Sequence, residues 1–368
     1  MKKLIYLTAA LFVISCGQQK EQNSTSWMVG FEKPAHNPIM QADSTYLFDC
    51  PVQGQSVQWQ KADVFNPAAL VKDDTVFMLF RAEDNPDAIL GGRTSRIGLA
   101  WSLDGEYFIK MPEPVLYPDS SEYIAFDYPG GCEDPRVVET EDGTYVMLYT
   151  SWNKDVARLS VATSKDLRVW EKHGPAFMKS QNGKYLDTWS KSGSVVCKRV
   201  GQSLIAEKIN GKYWMYWGER GVNIATSDDL IDWAPVETDK GELTYVMQTR
   251  DFKFDSFLTE PGPPALITDD GILLMYNGKN DDGDDISDPA IPQGTYCGGQ
   301  ALFSLDDPTE FIARMDQPFI CPDLPHEVTG QYAAGTTFIE GLVPFQGKWF
   351  LYYGTADSMV GLAIKEGI

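Results

Sequence analysis

The clearest pattern along the chain is a short β-type run that returns five times. Leu99-Ala100-Trp101-Ser102, Val161-Ala162-Thr163-Ser164, Ile224-Ala225-Thr226-Ser227, Ala301-Leu302-Phe303-Ser304 and Leu362-Ala363-Ile364-Lys365 recur at intervals of 62, 63, 77 and 61 residues. In the first four copies the serine opens a Ser-x-Asp turn (Asp104, Asp166, Asp229, Asp306), and an aromatic follows (Phe108, Trp170, Trp233, Phe311). Asp and Ser side chains cap tight turns by accepting nearby backbone amides, which suits a hairpin. Upstream of each copy lies an aromatic-rich run, such as Phe77-Met78-Leu79-Phe80 or Trp214-Met215-Tyr216-Trp217, preceded by a turn signal such as Asp142-Gly143 or Asn210-Gly211. Short β-rich runs joined this way are hairpins. A meander repeated five times predicts an all-β fold, a five-bladed β-propeller. Two β-sandwiches would supply the strands but not the fivefold recurrence.

Propeller geometry has a consequence for function. The innermost strands converge on one axis, so polar residues at their entrances share a pocket. Eight residues before the turns at Asp74 and Asp142 stand Asn66 and Asp134, each followed by Pro. Eight before Asp270 is Gly262, again followed by Pro, with Glu260 two positions earlier. Arg81, Glu219 and Asp357, just past the aromatic runs, are expected at the same mouth. The sequence therefore predicts carboxylates at the axis.

Composition narrows the chemistry. Of 368 residues 43% are hydrophobic, with 32 Gly and 22 Pro, which excludes disordered, collagen-like and coiled-coil chains. Fifty-two acidic residues against 31 basic give a net charge of -21, which repels a phosphate backbone, so nucleic acid is not expected as a partner. A neutral ligand such as a sugar carries no such penalty. Met1-Lys2-Lys3, the apolar run from Leu4 to Ile14 and Ser15-Cys16 read as a secretory signal with a bacterial lipobox. The expectation is a signal peptide over 1–16 with lipidated Cys16, a flexible tether over 17–26, and one catalytic propeller over 27–368. The protein would then sit in the bacterial cell envelope, held to the membrane through its lipid alone. Beyond Cys16 the odd set Cys50, Cys132, Cys197, Cys297 and Cys321 leaves at least one thiol free and assigns no pairing. His36, His173 and His326 are scattered, and no zinc spacing exists. No metal or cofactor is expected; Asn280-Asp281-Asp282-Gly283-Asp284-Asp285 has Gly278 and Pro289 at the end ligand positions of a calcium loop and reads as a solvated acidic loop. GxSxG, HExxH and P-loop signatures are missing.

Glycoside cleavage fits what remains. It needs one protonated carboxyl for the leaving oxygen and a second group acting on the anomeric carbon, directly or through water. Gly131-Cys132-Glu133-Asp134-Pro135-Arg136, Glu207-Lys208-Ile209-Asn210-Gly211-Lys212-Tyr213, Pro261-Gly262-Pro263-Pro264 and Tyr352-Tyr353-Gly354-Thr355-Ala356-Asp357 resemble glycoside hydrolase family 130. That family comprises mannoside phosphorylases and related mannosidases on five-bladed propellers, and the similarity runs from about Asn66 to the C-terminus. The resemblance implies that Asp134 is the general acid, its proton passing through a sugar hydroxyl, and that Asn66, Arg81 and Asp357 bind sugar.

Phosphate attack needs clustered cations to hold a dianion. The phosphorylase branch usually carries His-Arg after the third-blade strand and Tyr-His-Gly after the fourth; here those places read Trp217-Gly218 and Tyr276-Asn277-Gly278, with Glu219 and Glu260 nearby. The hydrolytic branch, which this pattern resembles best, positions water with two glutamates and acts on β-1,2-mannosides. The expectation is an inverting exo-acting β-mannosidase taking a β-linked manno-oligosaccharide or mannan-derived glycan. Asp134 is its acid, Glu219 and Glu260 together its base, with Lys191 and Asn277 as further substrate contacts. The alternatives are a β-mannoside phosphorylase, a non-catalytic glycan-binding propeller, and a propeller glycosidase for arabinosides or fructosides. Against these roles stand simpler ones: Glu219 paired with Arg220, Arg81 with Glu83 or Asp84 on the surface, Glu133 bonding Arg136, and most tryptophans packed between blades.

Overall fold

The computed structural model describes residues 26–89 and 92–368. The predicted signal segment, Cys16 and all of the tether but Ser26 lie outside them. The repeated runs form five antiparallel sheets arranged as the blades of a propeller. The first blade is Asp63–Lys72, Thr75–Glu83 and Ser95–Ser102, and the second is Gly131–Glu139, Tyr145–Trp152 and Ala157–Ser164. The third is Ser194–Val200, Lys212–Trp217 and Val222–Ser227. In the fourth the inner strand is split into Leu258–Pro261 and Ala265–Thr268, followed by Gly271–Lys279 and Tyr296–Phe303. Thr337–Phe345, Lys348–Thr355 and Met359–Glu366 make the fifth. The only α-helix among the described residues is the single turn Ile124–Asp127.

Each blade is covered on both faces by its neighbours, so its strands are buried almost end to end instead of alternating. Bulky side chains fill the wedges between blades. Trp59, Trp217 and Trp233 are fully buried, and Phe177 packs on Trp217 with ring centres 4.6 Å apart. The Ser-x-Asp turns form as expected in three blades. Ser102 Oγ accepts the Gly105 amide at 2.9 Å, and Asp104 Oδ1 accepts those of Glu106 and Tyr107 at 2.9 Å each. Ser164 with Asp166 and Ser227 with Asp229 repeat this geometry. The fourth differs: Asp307, not Asp306, accepts the next amide, from Thr309, because Pro308 removes a donor. The longer 77-residue interval is taken up by segment 280–295, inserted between the last two strands of the fourth blade.

The ring is closed by its own N-terminal segment. Glu32 and Ile364 exchange both backbone bonds at 2.8 Å, and Met40 accepts the Val360 amide at 2.9 Å. Between them the Asn37 side chain imitates a strand, donating to the Leu362 carbonyl at 2.8 Å and accepting its amide at 3.0 Å.

Among the described residues the cysteines resolve into one disulfide, Cys297–Cys321, which ties the fourth blade to the segment leading into the fifth, and three buried free thiols, Cys50, Cys132 and Cys197. The bridge spans 24 residues of sequence. Restraint of a loop that long in the unfolded chain is worth about 3 kcal/mol. Cys321→Ser is therefore expected to lower unfolding free energy by roughly that amount in denaturant titrations, and reductant should erase the difference.

Candidate active site

At one end of the axis the strand starts surround a cavity of about 350 Å³. Local backbone geometry places its key side chains. The first-blade inner strand bulges between Phe65 and Pro67, and the second between Glu133 and Arg136. Asn66 and Asp134 occupy those bulges with φ of 49° and 47°, and Asp357 lies in a turn with φ of 52°. Asn and Asp tolerate this left-handed region best after glycine, and the following Pro cannot donate to the ladder, so the two bulges are encoded locally. A Cβ on Gly354 would lie 2.0 Å from Asn66 Oδ1, so this glycine makes the room that Asn66 fills.

The bulge has a second effect. Adjacent residues on a regular strand face opposite ways, yet Glu133 and Asp134 both reach one guanidinium. Arg81 Nη1 donates to Asp134 Oδ1 at 3.0 Å, and Nη2 donates to Glu133 Oε1 at 2.9 Å and Glu83 Oε1 at 2.7 Å. With Nε on Ser95 Oγ at 3.1 Å, four of its five N–H groups are engaged and one remains for a ligand. Asn66 Nδ2 donates to Asp134 Oδ1 at 2.8 Å, while Asn66 Oδ1 is buried without a partner. Lys191 Nζ stands 3.7 Å from Asp134 Oδ2. Glu219 accepts from Trp189 Nε1 at 2.8 Å, and Glu260 accepts from Ser192 Oγ.

These environments sort the carboxyls. Burial pushes Asp134 up, but Arg81, Lys191, Asn66 and Arg136 outweigh it and hold the pKa well below the usual range. Burial raises Glu133 to about 7 against the pull of Arg81, so of this adjacent pair Glu133 binds a proton the more readily. Burial and the charge of Glu219 lift Glu260 to about 7, opposed by Lys191, Arg136 and Ser192. Burial lifts Asp357 to about 6. Burial also pulls down the Lys191 ammonium, but Asp134, Glu219, Glu133 and Glu260 hold its pKa high.

Seven of the eight residues singled out beforehand line the cavity: Asn66, Arg81, Asp134, Lys191, Glu219, Glu260 and Asp357. Asn277 does not. Its amide donates to the Ile339 carbonyl at 3.1 Å and accepts the Ile339 amide at 2.7 Å, so the side chain is spent fastening the fourth blade to the fifth. Glu219 bonds Trp189 and not Arg220, the simpler alternative, and Arg81 is buried, not a surface ion pair. Glu133 contacts Arg81 and the cavity, not Arg136. Trp152 and Trp189 stand edge to face at the rim, 5.7 Å apart, with Trp189 48% exposed, whereas Trp217 is core. Tyr296, Tyr332, Thr336 and Phe338 also line the wall and were not foreseen; Tyr332 and Thr336 sit in a connection between repeats, and Tyr296 and Phe338 at the starts of strands outside the recurring runs. In the acidic loop, Asp281 caps the Gly283 amide, Asp282 pairs with Lys279 and Asp284 accepts from Gln293, so its carboxylates are turned to separate partners.

The sequence profile described as beta-1,4-mannooligosaccharide phosphorylase, glycoside hydrolase family 130, matches residues 31–366. The chain belongs to glycoside hydrolase family 130. It is 33% identical over 314 residues to a 1,2-beta-oligomannan phosphorylase of Thermoanaerobacter sp. (strain X514), covering 84% of this chain and 92% of the relative. Among solved structures, a putative glycosidase from Bacteroides thetaiotaomicron superposes with TM-score 0.89 at 53% identity, covering 91% of this chain and 96% of that one. Another, at 47% identity and TM-score 0.90, covers 92% of this chain and 94% of that one; it is described among family 130 glycoside hydrolases that target beta-1,2 mannosidic linkages in Candida mannan. The protein is thus a family 130 enzyme acting on mannosides.

The Ser192 bond supplies a direct check on the cavity's electrostatics. It favours the charged form of Glu260, so removing it raises that pKa further. In Ser192→Ala the acid limb of the kcat/KM profile, set by a base that must be ionised, is expected to move from near pH 7 to higher pH. An unmoved limb would show that Glu260 does not set it.

Proposed function

We propose that this protein is an inverting, exo-acting β-mannosidase that hydrolyses β-1,2-linked mannosides. The observation that carries the reading is the charge lining the cavity. Its cations are Arg81 and Lys191, both already facing carboxylates, while Glu219 and Glu260 add two more acidic groups to the wall. A phosphate dianion there would meet repulsion, whereas a carboxylate can take a proton from water. The linkage rests on the relative that targets beta-1,2 mannosidic bonds. The phosphorylase names of the more distant relatives support the competing reading.

In the proposed reaction the terminal mannose is held by Asn66, Arg81 and Asp357. Glu219 and Glu260 orient a water and take its proton as the oxygen bonds to the anomeric carbon. The glycosidic bond breaks, and a proton originating on Asp134 reaches the leaving oxygen through a sugar hydroxyl. Asp134 must first gain that proton. A sugar that draws Lys191 away removes one of the charges depressing its pKa, and Glu133 beside it holds a proton to pH about 7.

In phosphate-free buffer, β-1,2-mannobiose is expected to give mannose, with the α-anomer appearing first by NMR. Glu219→Gln should lower kcat by about two orders of magnitude or more. A strict phosphate requirement with mannose 1-phosphate as product would replace the hydrolase by the phosphorylase.

We also propose that Cys16 carries a lipid and holds the enzyme in the cell envelope. The Ser26 amide donates to Asp270 at 3.0 Å, in the turn at the end of strand Gly271–Lys279 remote from the cavity. An anchor attached there leaves the mouth facing away from the membrane. Cys16→Ala is expected to move the enzyme from the membrane to the soluble fraction.

A further inference from the structure

Across the axis beneath the cavity lies a buried contact that the proposed reaction does not use. Asp134 belongs to the second blade and Glu260 to the fourth, and the third blade stands between them. Their inner strands share no ladder. Arg136, two residues after Asp134, bridges the gap. Its Nε donates to the Gly262 carbonyl at 3.0 Å and its Nη2 to the Pro261 carbonyl at 3.0 Å, the two peptides that follow Glu260. Its Nη1 also reaches the Asp134 carbonyl at 3.3 Å. From the fifth blade Glu340, at a bulge between Ile339 and Gly341, brings Oε1 to 3.0 Å from Nη2. Among the described residues both oxygens of this fully buried carboxyl lack a hydrogen bond, and the guanidinium is the cation in contact with it.

The structure assigns Arg136, backed by Glu340, as a positioning residue that sets the span between Asp134 and Glu260. One planar fork reads both sides of the span: it grows from the strand that carries Asp134 and binds the peptides adjoining Glu260. The shared guanidinium draws the second, fourth and fifth blades together at the point where the acid and the base must keep their distance. Lysine preserves the charge but not the fork, so it cannot hold two carbonyls in one plane.

This inference uses the mannosidase reading for its kinetic measurement and is separable from it by crystallography. Crystal structures of the wild type and Arg136→Lys should show Pro261–Gly262 displaced relative to Asp134. With β-1,2-mannobiose, kcat should fall on the order of 100-fold, as misplacement of about 1 Å can cost. KM should stay within about threefold and the melting temperature within a few degrees, a split that loss of fold would not give. Unmoved peptides with unchanged kcat would overturn the assignment, as would a kcat loss that only tracks the fraction unfolded. Should the wild type cleave no β-mannoside, the mannosidase reading fails. Displacement or constancy of Pro261–Gly262 then decides the strut alone. Should Arg136→Lys not fold, Glu340→Gln takes its place: kcat lowered on the order of tenfold at unchanged KM supports the assignment, and unchanged kcat refutes it.

Discussion

Arg81 holds three carboxylates at once, and the chemistry of the cavity follows from how that imbalance is met. Glu83 has a second cation in Arg93 at 3.0 Å, but Glu133 and Asp134 cannot both ionise cheaply beside the Arg81 guanidinium out of water. Arg81, Lys191 and the Asn66 amide favour charge on Asp134, and Glu133 is the carboxyl pushed toward its neutral form. A buried cluster of this kind is weak evidence for stability, since desolvation consumes much of the Coulombic gain. It is better understood as an arrangement that pushes neighbouring carboxyls apart in pKa, the usual preparation for acid and base roles in one site.

The fold was legible because the blades repeat: the same serine–aspartate turn, aromatic run and glycine turn recur in one chain, and no sandwich would impose that period. Asn66 and Asp134 were legible for a related reason. Each stands eight residues before its blade's hairpin turn and is followed by Pro, and the structure shows both positions to be bulges that turn the side chain toward the axis. What escaped notice lies where such rules stop. Glu133 was read as bonding Arg136, and the bulge that exposes Asp134 instead brings it to Arg81 beside the cavity. Glu340 sits at a bulge with no proline to announce it. Asn277 was drawn in by its place opposite a histidine of the phosphorylase branch, but its amide matches the Ile339 backbone on both edges. The disulfide stayed unassigned because five cysteines at wide spacings allow many pairings, and only the geometry around Cys297 selects one.

Family membership and the local charges bear on different questions. The profile match and the superpositions establish a mannoside-active scaffold whose members include both phosphorylases and hydrolases. Which nucleophile such a scaffold accepts depends on the sign of a few groups beside the anomeric carbon. A cation there recruits an anion; a carboxylate excludes it and leaves room for water. On the proposed mannosidase reading Glu219 and Glu260 would put this chain on the second side of that division, and the bond from Trp189 to Glu219 links the rim aromatics to the same choice.

The closure of the ring has a consequence for how the protein is made. Asn37 meets Leu362, and Glu32 meets Ile364, across more than three hundred intervening residues. The edge that completes the fifth blade is therefore synthesised first and used last. Until the final strand leaves the ribosome, the backbones of Glu32 and Met40 lack the strand they pair with, and the propeller remains an open arc with an unpaired border. Such long-range pairing makes for slow assembly and exposed edges along the way. Removal of the last few residues would thus be felt at both termini.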